Sequence, residues 1–409
     1  MFAPYPEPRS RSGPKWVAGL WVALCVALVV YAVLKPHRQT VYPVYRVASD
    51  DWFAGNNLYV LRTEGPDQYR YSPTFAVAFA PLAALPERAG NAAWKLLNAL
   101  AFLAGLWVWA RRVVPWSATR KRVAGAFFVA AFAALPSFFN GQVNLMVTGF
   151  MLLAAGALTA ERWWWAASWL AAATLIKVFP LALALVVCAL YPRRFAPRFA
   201  GAVAALAALP FVAQSPEYVL SQWEKWFDHL SYTSLAPRDE HRSLDALLER
   251  IGFDVNRRAF QFVAALTGGL VLLVALRSAR RADTRATLAL TVSWFLCWAV
   301  VFGPATENAT FAVLAPALAW SGVVVAERPG AWLERIWLVA CVYLTGLASS
   351  DAGGPFRVFF DRHCAPSIGA AMYAGFLVAE LVLSGREPQA TARVPDSEPV
   401  EHPRVRRAA

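Results

Sequence analysis

The sequence predicts an all-α integral membrane protein. Of its 409 residues, 58% are hydrophobic and 16% are charged, and the mean hydropathy is +0.42, so the apolar share exceeds that of an ordinary soluble domain. Apolar runs of about 17 to 20 residues recur from end to end, and a helix of that length spans a hydrocarbon core of about 30 Å. A transmembrane sheet is excluded, because the runs lack the alternation of barrel strands and lipid tolerates no open sheet edge.

The apolar runs predict about twelve transmembrane helices. They lie near residues 16–34, 90–110, 123–139, 143–160, 163–177, 178–192, 198–214, 259–277, 286–303, 309–326, 332–349 and 366–384. Residues 163–192 are expected to form a hairpin broken at "KVFP", because Pro180 interrupts a helix. The shorter run "SPTFAVAFAPLAALP" is expected to lie in the membrane, or to enter it partly, without crossing it.

Basic residues indicate the orientation of these helices. The loops "ARRVVPWSATRKR", "YPRRFAPR" and "RSARRADTR" are dense in Arg and Lys, so the positive-inside rule places them in the cytoplasm. The formal charge of +13 is therefore interpreted as a topology signal, and we expect no nucleic-acid partner. We predict one membrane domain over residues 1–385 and a disordered cytoplasmic tail over residues 386–409, which is rich in Pro, Glu and Arg.

The cysteines indicate neither disulfides nor a metal site. The five of them lie singly, mostly within apolar runs, at Cys25, Cys188, Cys297, Cys341 and Cys364. We interpret them as core residues and expect no metal ion and no other cofactor.

The long polar segments are predicted to share the extracytoplasmic face. They comprise a first loop from about residue 35 to 88, the turn "FFNGQVN", Lys177, a second loop from about residue 213 to 257, and the segments "GPATENAT" and "DAGGPFRVFFDRHC". Polar loops of this size usually carry function rather than merely connect helices. We therefore expect a single extracytoplasmic site between the loops and the helix ends.

Two adjacent carboxylates, Asp50 and Asp51, lie in the first loop, in "RVASDDWFAGNNLY". The apolar residues around them recur at helical spacing, which predicts an amphipathic helix lying flat at the membrane interface, with Tyr42, Val44, Tyr45, Ala48, Trp52 and Phe53 on its apolar side. Neighbouring residues on a helix point about 100° apart, so only one of the two carboxylates can face a given pocket. A catalytic role is one interpretation, and a solvated turn or an N-cap is the other.

Cationic residues follow in three places. Arg70 stands beside Tyr71 in "DQYRYSP", and Lys177 follows an apolar helix in "TLIKVFP"; both positions suit a phosphate, although membrane anchors have the same composition. In "SYTSLAPRDEHRSLDALLERIGF", an amphipathic helix with Ser243 as N-cap is preceded by three candidates for phosphate binding, Arg238, His241 and Arg242. The alternative for this last group is a surface helix with a charged rim.

Amides and a membrane-edge carboxylate complete the candidate set. The turn "NGQVN" presents Asn140, Gln142 and Asn144, and amides match sugar hydroxyls because they both donate and accept hydrogen bonds. A plain turn is the alternative. Glu307 in "FGPATENAT" lies where one span ends and the next begins, and a carboxylate at that depth is a functional candidate.

These elements, taken in order, resemble glycosyltransferase family 87, the polyprenol-phosphate-mannose-dependent mannosyltransferases of the glycosyltransferase C superfamily. The resembling stretches are "AGNNLY", "YRYSPTFAVAFAPLAALP" followed by "AWKLLNALAFLAGLWVWARR", "NGQVNLMVTGFMLLAAGAL", "AAATLIKVFPLAL" and "GPATENATFAVLAPALAW". Each is loose by itself, and they extend over about three quarters of the chain in the expected order.

The resemblance implies a GT-C-like fold and an inverting transfer of a sugar, mannose in the family, from a polyprenyl phosphate to a lipid or glycan acceptor outside the cytoplasm of the cell. It also implies a first-loop Asp as general base and no nucleotide-binding domain. Such a base takes the proton of the attacking hydroxyl, and the leaving phosphate needs cations, here Lys177, Arg238, His241, Arg242 and Arg70. The sugar or acceptor is expected to contact Asn140, Gln142, Glu307 and Tyr71.

The first loop departs from the family pattern. The family's Asp typically comes a few residues before a tyrosine-containing stretch, and the corresponding place near "TVYPVY" offers Thr40 or Val41. Asp50 and Asp51 are the nearest carboxylates, and one of them is the expected general base; the alternatives are that this member has another chemistry or has lost activity.

A protein of another class, a non-catalytic polytopic transporter or lipid-handling protein, is the alternative. A transporter should carry ionisable residues deep inside its spans, whereas this sequence places its charges at the ends of the apolar runs. A purely structural membrane protein would not account for the two long loops. If the protein is an enzyme, we expect the first-loop aspartates, Lys177, Arg238 and Glu307 to converge on one cavity.

Overall fold

The computed structural model describes residues 15–38, 40–60, 65–233, 241–281, 283–303 and 306–384. Every regular element in these ranges is a helix, which confirms the prediction of an all-α protein. Arg238 and the predicted tail over residues 386–409 lie outside the described residues.

The helices follow the predicted apolar runs closely. In chain order they are α1 (Lys15–Leu34), α2 (Tyr42–Ala54), α3 (Pro73–Ala83), α4 (Glu87–Val108) with a π-turn (Trp109–Val113), α5 (Arg120–Asn140), α6 (Asn144–Thr159), α7 (Trp163–Ile176), α8 (Pro180–Leu190), α9 (Ala196–Ala208) with a 3₁₀ turn (Leu209–Val212), α10 (Pro216–Thr233), α11 (Leu244–Arg250), α12 (Arg257–Arg281), α13 (Thr284–Phe302), a 3₁₀ segment (Asn308–Leu314) leading into α14 (Ala315–Glu327), α15 (Trp332–Val342) with a π-turn (Tyr343–Leu347), a 3₁₀ segment (Asp351–Phe356), α16 (Arg357–Arg362) and α17 (Ala365–Ser384).

Seven helices of the described chain are long and apolar enough to cross a membrane. They are Lys15–Leu34, Glu87–Val113, Arg120–Asn140, Arg257–Arg281, Thr284–Phe302, Asn308–Glu327 and Ala365–Leu383. Long apolar helices of this number define a multi-pass membrane protein. The other predicted spans are present as shorter helices, so the count of twelve crossings stays a prediction.

Polar contacts divide the helix ends into two groups. At one end, which we call the site end, Gln142 after α5 bonds to Glu307 before α14. At the other, the basic end, Arg122 at the start of α5 pairs with Glu327 at the end of α14, with 2.7 Å between Nη2 and Oε2. The α5–α14 pair therefore runs antiparallel between two polar faces, as expected for helices that cross a bilayer.

The interior relies on small residues to bring helix backbones together. Gly105 of α4 lies against Gly149 of α6, and an added Cβ on Gly105 would stand 2.6 Å from the Gly149 Cα atom. Lipid-embedded helices associate largely through such close packing, because their surroundings are as apolar as their side chains. Helices α4 and α6 thus form a rigid pair, and its site end carries the turn Asn140–Asn144.

The first loop folds into the predicted amphipathic helix, but two residues expected on its apolar side differ: Val44 is half-buried, and Phe53 is 53% exposed because it points about 100° away from the buried Trp52. In α2 the buried side chains include Tyr42, Tyr45, Ala48 and Trp52, which recur at helical spacing. The helix ends at Gly55, whose φ of 75° lies in the left-handed region that favours glycine. Helix α3 follows with eleven residues, too few to cross a hydrocarbon core.

Candidate active site

A cavity of about 230 Å³ lies at the site end, where five structural segments meet. Its lining comes from the loop before α3, the turn between α5 and α6, the break between α7 and α8, the outer helix α10, and the region between α13 and α14. Five residues predicted for the site line it: Arg70, Tyr71, Gln142, Lys177 and Glu307.

Helix α4 holds the α5–α6 turn in place. The Trp94 indole N–H donates to the Gly141 carbonyl at 2.7 Å, and the Asn98 amide donates to the Gln142 carbonyl at 2.6 Å. Asn98 also accepts the backbone N–H of Met146 at 2.7 Å. Both sides of the turn are therefore fixed by buried side chains, so that the Gln142 side chain is directed to one place.

A row of hydrogen bonds joins the Glu307 carboxylate to the Lys177 ammonium. Gln142 donates from Nε2 to the Glu307 carboxylate, and its Oε1 accepts from Asn144 Nδ2 at 2.6 Å. The Asn144 Oδ1 atom in turn accepts from the Lys177 ammonium at 2.8 Å. Each amide is used on both its oxygen and its nitrogen, so the row fixes the direction in which every side chain points.

Lys177 occupies the predicted break between α7 and α8. Its φ and ψ of −133° and 142° are extended, and Pro180 starts the next helix three residues later. The ammonium lies 5.9 Å from the centre of the Tyr71 ring, whose hydroxyl is 3.0 Å from that of Tyr45. The unwound residue therefore points a cation into the cavity, supported by an aromatic face and an amide oxygen.

A second cation, Arg70, faces Glu307 from the first loop. One guanidinium nitrogen is 3.8 Å from the Glu307 carboxylate, and the other is 3.5 Å from Asp67 on the outer side. The Arg70 and Glu307 side chains keep 34% and 42% of their surface exposed, so both remain accessible to a ligand. Among the described residues, the lining of the cavity thus holds two cations and one carboxylate, which leaves one positive charge in excess.

The remaining wall of the cavity is apolar. Trp226 and Leu230 of α10 close it from outside, and Phe179, Val300 and Val313 line it from the bundle. A site that combines an apolar wall with a few fixed polar groups is typical of small-molecule recognition. Phosphate and sugar groups can be held on the polar side while a chain follows the apolar side.

The two first-loop aspartates do not line this cavity, which corrects the expected convergence. Asp50 is exposed and lies 4.0 Å from Arg46 on its own helix. Asp51 accepts a hydrogen bond from Asn56 at 3.2 Å, in the turn that ends α2. The buried face of α2 is taken by its aromatic residues, and the aspartates occupy the opposite side of the helix.

The place where the resemblance implies an Asp carries Thr40 and Val41, neither of which is acidic. The Thr40 hydroxyl lies 3.0 Å from Asn91 Oδ1 of α4. Among the lining residues of the cavity in the described chain, Glu307 is the carboxylate.

His241 and Arg242 belong to a separate contact. The Arg242 guanidinium forms two hydrogen bonds to Asp361 of α16, at 3.0 and 2.8 Å, and its backbone N–H donates to Thr306. His241 is buried beside it, with 7% of its surface exposed. Arg242 thus holds the loop to α16, and neither Arg242 nor His241 lines the cavity. Ser243 precedes α11 as predicted, but its side chain forms no capping bond.

Asn140 lines a second cavity, of about 390 Å³, on the other side of the α5–α6 turn. Asn308 also lines it, while the preceding residue Glu307 lines the first cavity. The turn at Asn140–Gln142 and the pair Glu307–Asn308 therefore form a shared wall. Within the described part of the chain, three buried oxygens near this second cavity have no hydrogen-bond partner: Asn140 Oδ1, Asn308 Oδ1 and Ser349 Oγ.

The sequence reasoning missed the polar face of α4. Asn91, Lys95 and Asn98 recur at helical spacing in "NAAWKLLNAL", and all three are at most 1% exposed. The Lys95 side chain packs beside Gly141, where an added Cβ would stand 3.0 Å from Lys95 Cγ. The spacing of four and three residues could have predicted this face, because a polar stripe on an otherwise apolar helix indicates a buried polar contact.

In the described ranges no group of three or more His, Cys, Asp and Glu residues is placed to hold a metal ion.

The helical architecture and the cavity define a multi-pass membrane protein with an enzyme-like site at one face. The model of glycosyltransferase family 87 matches residues 69–304, more than half of the chain. The chain therefore belongs to glycosyltransferase family 87, as the sequence predicted, and it is a membrane glycosyltransferase.

Comparison with solved structures finds a similarity to ArnT from Cupriavidus metallidurans, crystallised bound to undecaprenyl phosphate. The TM-score is 0.48 and the identity 15%, over 91% of this chain and 73% of that one. No curated protein matches the sequence.

Proposed function

We propose that the protein transfers a sugar from a polyprenyl-phosphate donor to an extracytoplasmic lipid or glycan acceptor, with inversion, and that mannose is the sugar. The observation that carries the proposal is the cavity in which Arg70, Lys177 and Glu307 face one another beside an apolar wall. Its excess positive charge is neutralised by a singly charged phosphodiester, the form of a lipid-linked sugar phosphate. Membership of family 87 supports the donor class, and mannose is the sugar that the resemblance implies.

Lys177 and Arg70 are the proposed ligands of the donor phosphate. When the bond between the anomeric carbon and the phosphate oxygen breaks, the phosphate gains a negative charge, and cations fixed beforehand stabilise it most in the transition state. Lys177 is fixed by Asn144 and Tyr71, so little reorganisation is required. The apolar wall at Trp226 and Leu230 suits the first units of the polyprenyl chain.

Glu307 replaces the first-loop aspartates as the proposed general base. An ionised carboxylate takes the proton of the acceptor hydroxyl while the hydroxyl oxygen attacks the anomeric carbon from the side opposite the phosphate. Gln142 holds Glu307 in place, and an Arg70 guanidinium nitrogen lies 3.8 Å from its carboxylate. Glu307 lines the cavity, where it can contact a bound acceptor, whereas Asp50 and Asp51 do not line it.

The second cavity is the proposed place for the part of the acceptor beyond the reacting hydroxyl. Asn140, Asn308 and Ser349 line it, and their amide and hydroxyl groups are the types that exchange hydrogen bonds with sugar hydroxyls. The aromatic rings of Tyr31 and Phe139 in the same lining suit the apolar face of a sugar ring. In this arrangement the reacting hydroxyl enters the first cavity beside Glu307, while the rest of the acceptor lies beyond the shared wall in the second.

The test is an assay of purified protein in lipid, with radiolabelled polyprenyl-phosphate sugars and a mixed lipid acceptor extract. We expect mannose transfer by the wild type and a loss of about 10² to 10⁴ in rate for Glu307→Gln, the contribution of a general base. The matched control is the double variant Asp50→Asn with Asp51→Asn, which removes two carboxylates outside the cavity and should transfer at nearly the wild-type rate.

Two results would reject parts of this proposal. Transfer that depends on Asp50 or Asp51 and is insensitive to Glu307→Gln would return the base to α2. A wild-type protein that turns over no polyprenyl-phosphate sugar, in lipid and with its fold intact, would reject the donor class.

A further inference from the structure

A large groove opens at the basic end, on the face of the bundle formed by α1, α4 and α5. Its volume of about 820 Å³ exceeds three times that of the cavity at the site end. The wall is apolar along its length and includes Trp21, Leu100, Leu103, Trp107, Val123 and Phe127. The side chains of Leu100 and Trp107 are 50% and 49% exposed, so the groove is open on its outer side.

Basic residues from three elements lie in the lining of this groove. Lys15 starts α1, Arg111 lies in the π-turn that ends α4, and Arg120 starts α5, so all three come from helix ends of the basic face. The Arg111 guanidinium lies 4.8 Å from the centre of the Trp107 ring. The lining contains no carboxylate among the residues that the structure describes. The groove therefore combines a cationic mouth with an apolar interior.

We propose that this groove binds an anionic phospholipid, with the headgroup phosphate among Lys15, Arg111 and Arg120 and an acyl chain along the apolar wall. Charge complementarity selects the headgroup, because basic pockets between membrane helices attract anionic lipids. Depth selects a lipid over a free anion, because the apolar lining is in contact with the hydrocarbon region. Trp107 lies where aromatic side chains favour the membrane interface.

This lipid is distinct from the sugar donor. The donor phosphate is assigned to the site end, beside Lys177. The groove lies at the opposite, basic end of the bundle, where Arg122 pairs with Glu327. One phosphate cannot occupy both places. The lipid proposal is therefore independent of the proposed transfer reaction.

The test measures lipid binding to delipidated protein in detergent by native mass spectrometry. Phosphatidylglycerol and phosphatidylcholine with identical acyl chains are titrated separately, so the difference between them reports the headgroup. We expect tighter binding of phosphatidylglycerol. The combined variant Lys15→Gln, Arg111→Gln, Arg120→Gln should weaken that binding by about tenfold or more, to the level of phosphatidylcholine.

The matched control removes three exposed arginines of the basic end that do not line the groove, as Arg193→Gln, Arg280→Gln, Arg281→Gln. It should retain the preference for phosphatidylglycerol. Ala104→Trp, at an exposed position in the groove wall, should obstruct the chain and weaken both lipids. Unchanged size-exclusion and melting behaviour shows that each variant is folded.

Three outcomes would overturn the proposal: equal wild-type affinity for the two lipids, an equal loss in the control variant, or unchanged phosphatidylglycerol binding in Ala104→Trp.

Discussion

Asp361 shows how one side chain of α16 supports a site that it does not touch. It accepts two hydrogen bonds from Arg242 and one from Asn308 Nδ2 at 2.6 Å. Asn308 follows Glu307 directly, so this contact ties the segment that carries the proposed base to the loop before α11. Burial raises the pKa of Asp361, but the hydrogen bonds from Arg242 and Asn308 outweigh burial and hold that pKa below its ordinary value.

Asp361→Asn should therefore destabilise the protein. The variant leaves the charged Arg242 group with a neutral partner, a loss of about 1 to 3 kcal/mol for a partly buried charged hydrogen bond. Because the folded-state pKa of Asp361 is depressed, its contribution is present above the ordinary pKa and disappears as pH falls through the depressed value. The measurement is the thermal unfolding midpoint in detergent at neutral pH.

The exposed carboxylate of Asp254 supplies the control for this prediction. Asp254→Asn should unfold at the wild-type temperature. Equal melting temperatures for the Asp361 variant and the wild type would show that the Arg242 contact contributes no net stability.

At the scale of elements, the contact between α4 and α6 carries the α5–α6 turn and therefore the position of Gln142. An added Cβ on Gly149 would overlap the Ala101 carbonyl group of α4, with its carbon 2.6 Å away. Backbone atoms cannot rotate aside as a side chain can. The two helices must separate to accept any larger residue.

Gly149→Val should accordingly cost about 1 to 3 kcal/mol of stability by overpacking. Transfer activity should fall with it, since Trp94 and Asn98 of α4 would no longer hold the turn at the same place. The melting temperature and the transfer rate are measured on the same preparation. Gly269→Val on α12 is the control, because no atom lies within 4 Å of an added Cβ there, and it should change neither quantity.

The sequence was sufficient for the elements, because their signals are local. Run length and proline placement predicted the break at Lys177, and helical spacing predicted the buried side of α2.

Pairings between distant residues could not be predicted in the same way. Gln142 meets Glu307 across 165 positions, and Arg242 meets Asp361 across 119. Such pairs depend on how the helices pack, which no window of sequence contains. Arg242 was therefore expected at the donor phosphate, although its side chain bonds to Asp361 of α16. Asp50 and Asp51 were predicted from their place along the chain, which does not tell which side of α2 they occupy.

At the scale of the whole molecule, the two polar ends predict an orientation. The basic end carries the loops that the positive-inside rule assigns to the cytoplasm, so the cavity at the site end should face outward. Single cysteines introduced as Glu217→Cys and Asp254→Cys should react with a membrane-impermeant maleimide in intact cells. Arg112→Cys and Arg193→Cys should react only after permeabilisation, with all variants made in a background lacking the five native cysteines.

The inverse labelling pattern would reverse the orientation and leave the bundle unchanged. Labelling of only one residue from each pair in intact cells would contradict the division into two ends.

The wall between the two cavities has an evolutionary consequence. Gln142 and Glu307 face one chamber while Asn140 and Asn308, one or two positions away, face the other. A backbone shift that enlarges one chamber must shrink or reshape its neighbour. With donor and acceptor assigned to the two chambers as proposed, we expect preferences for the two substrates to be inherited together, because a lineage that exchanges one has to rebuild its fit to the second.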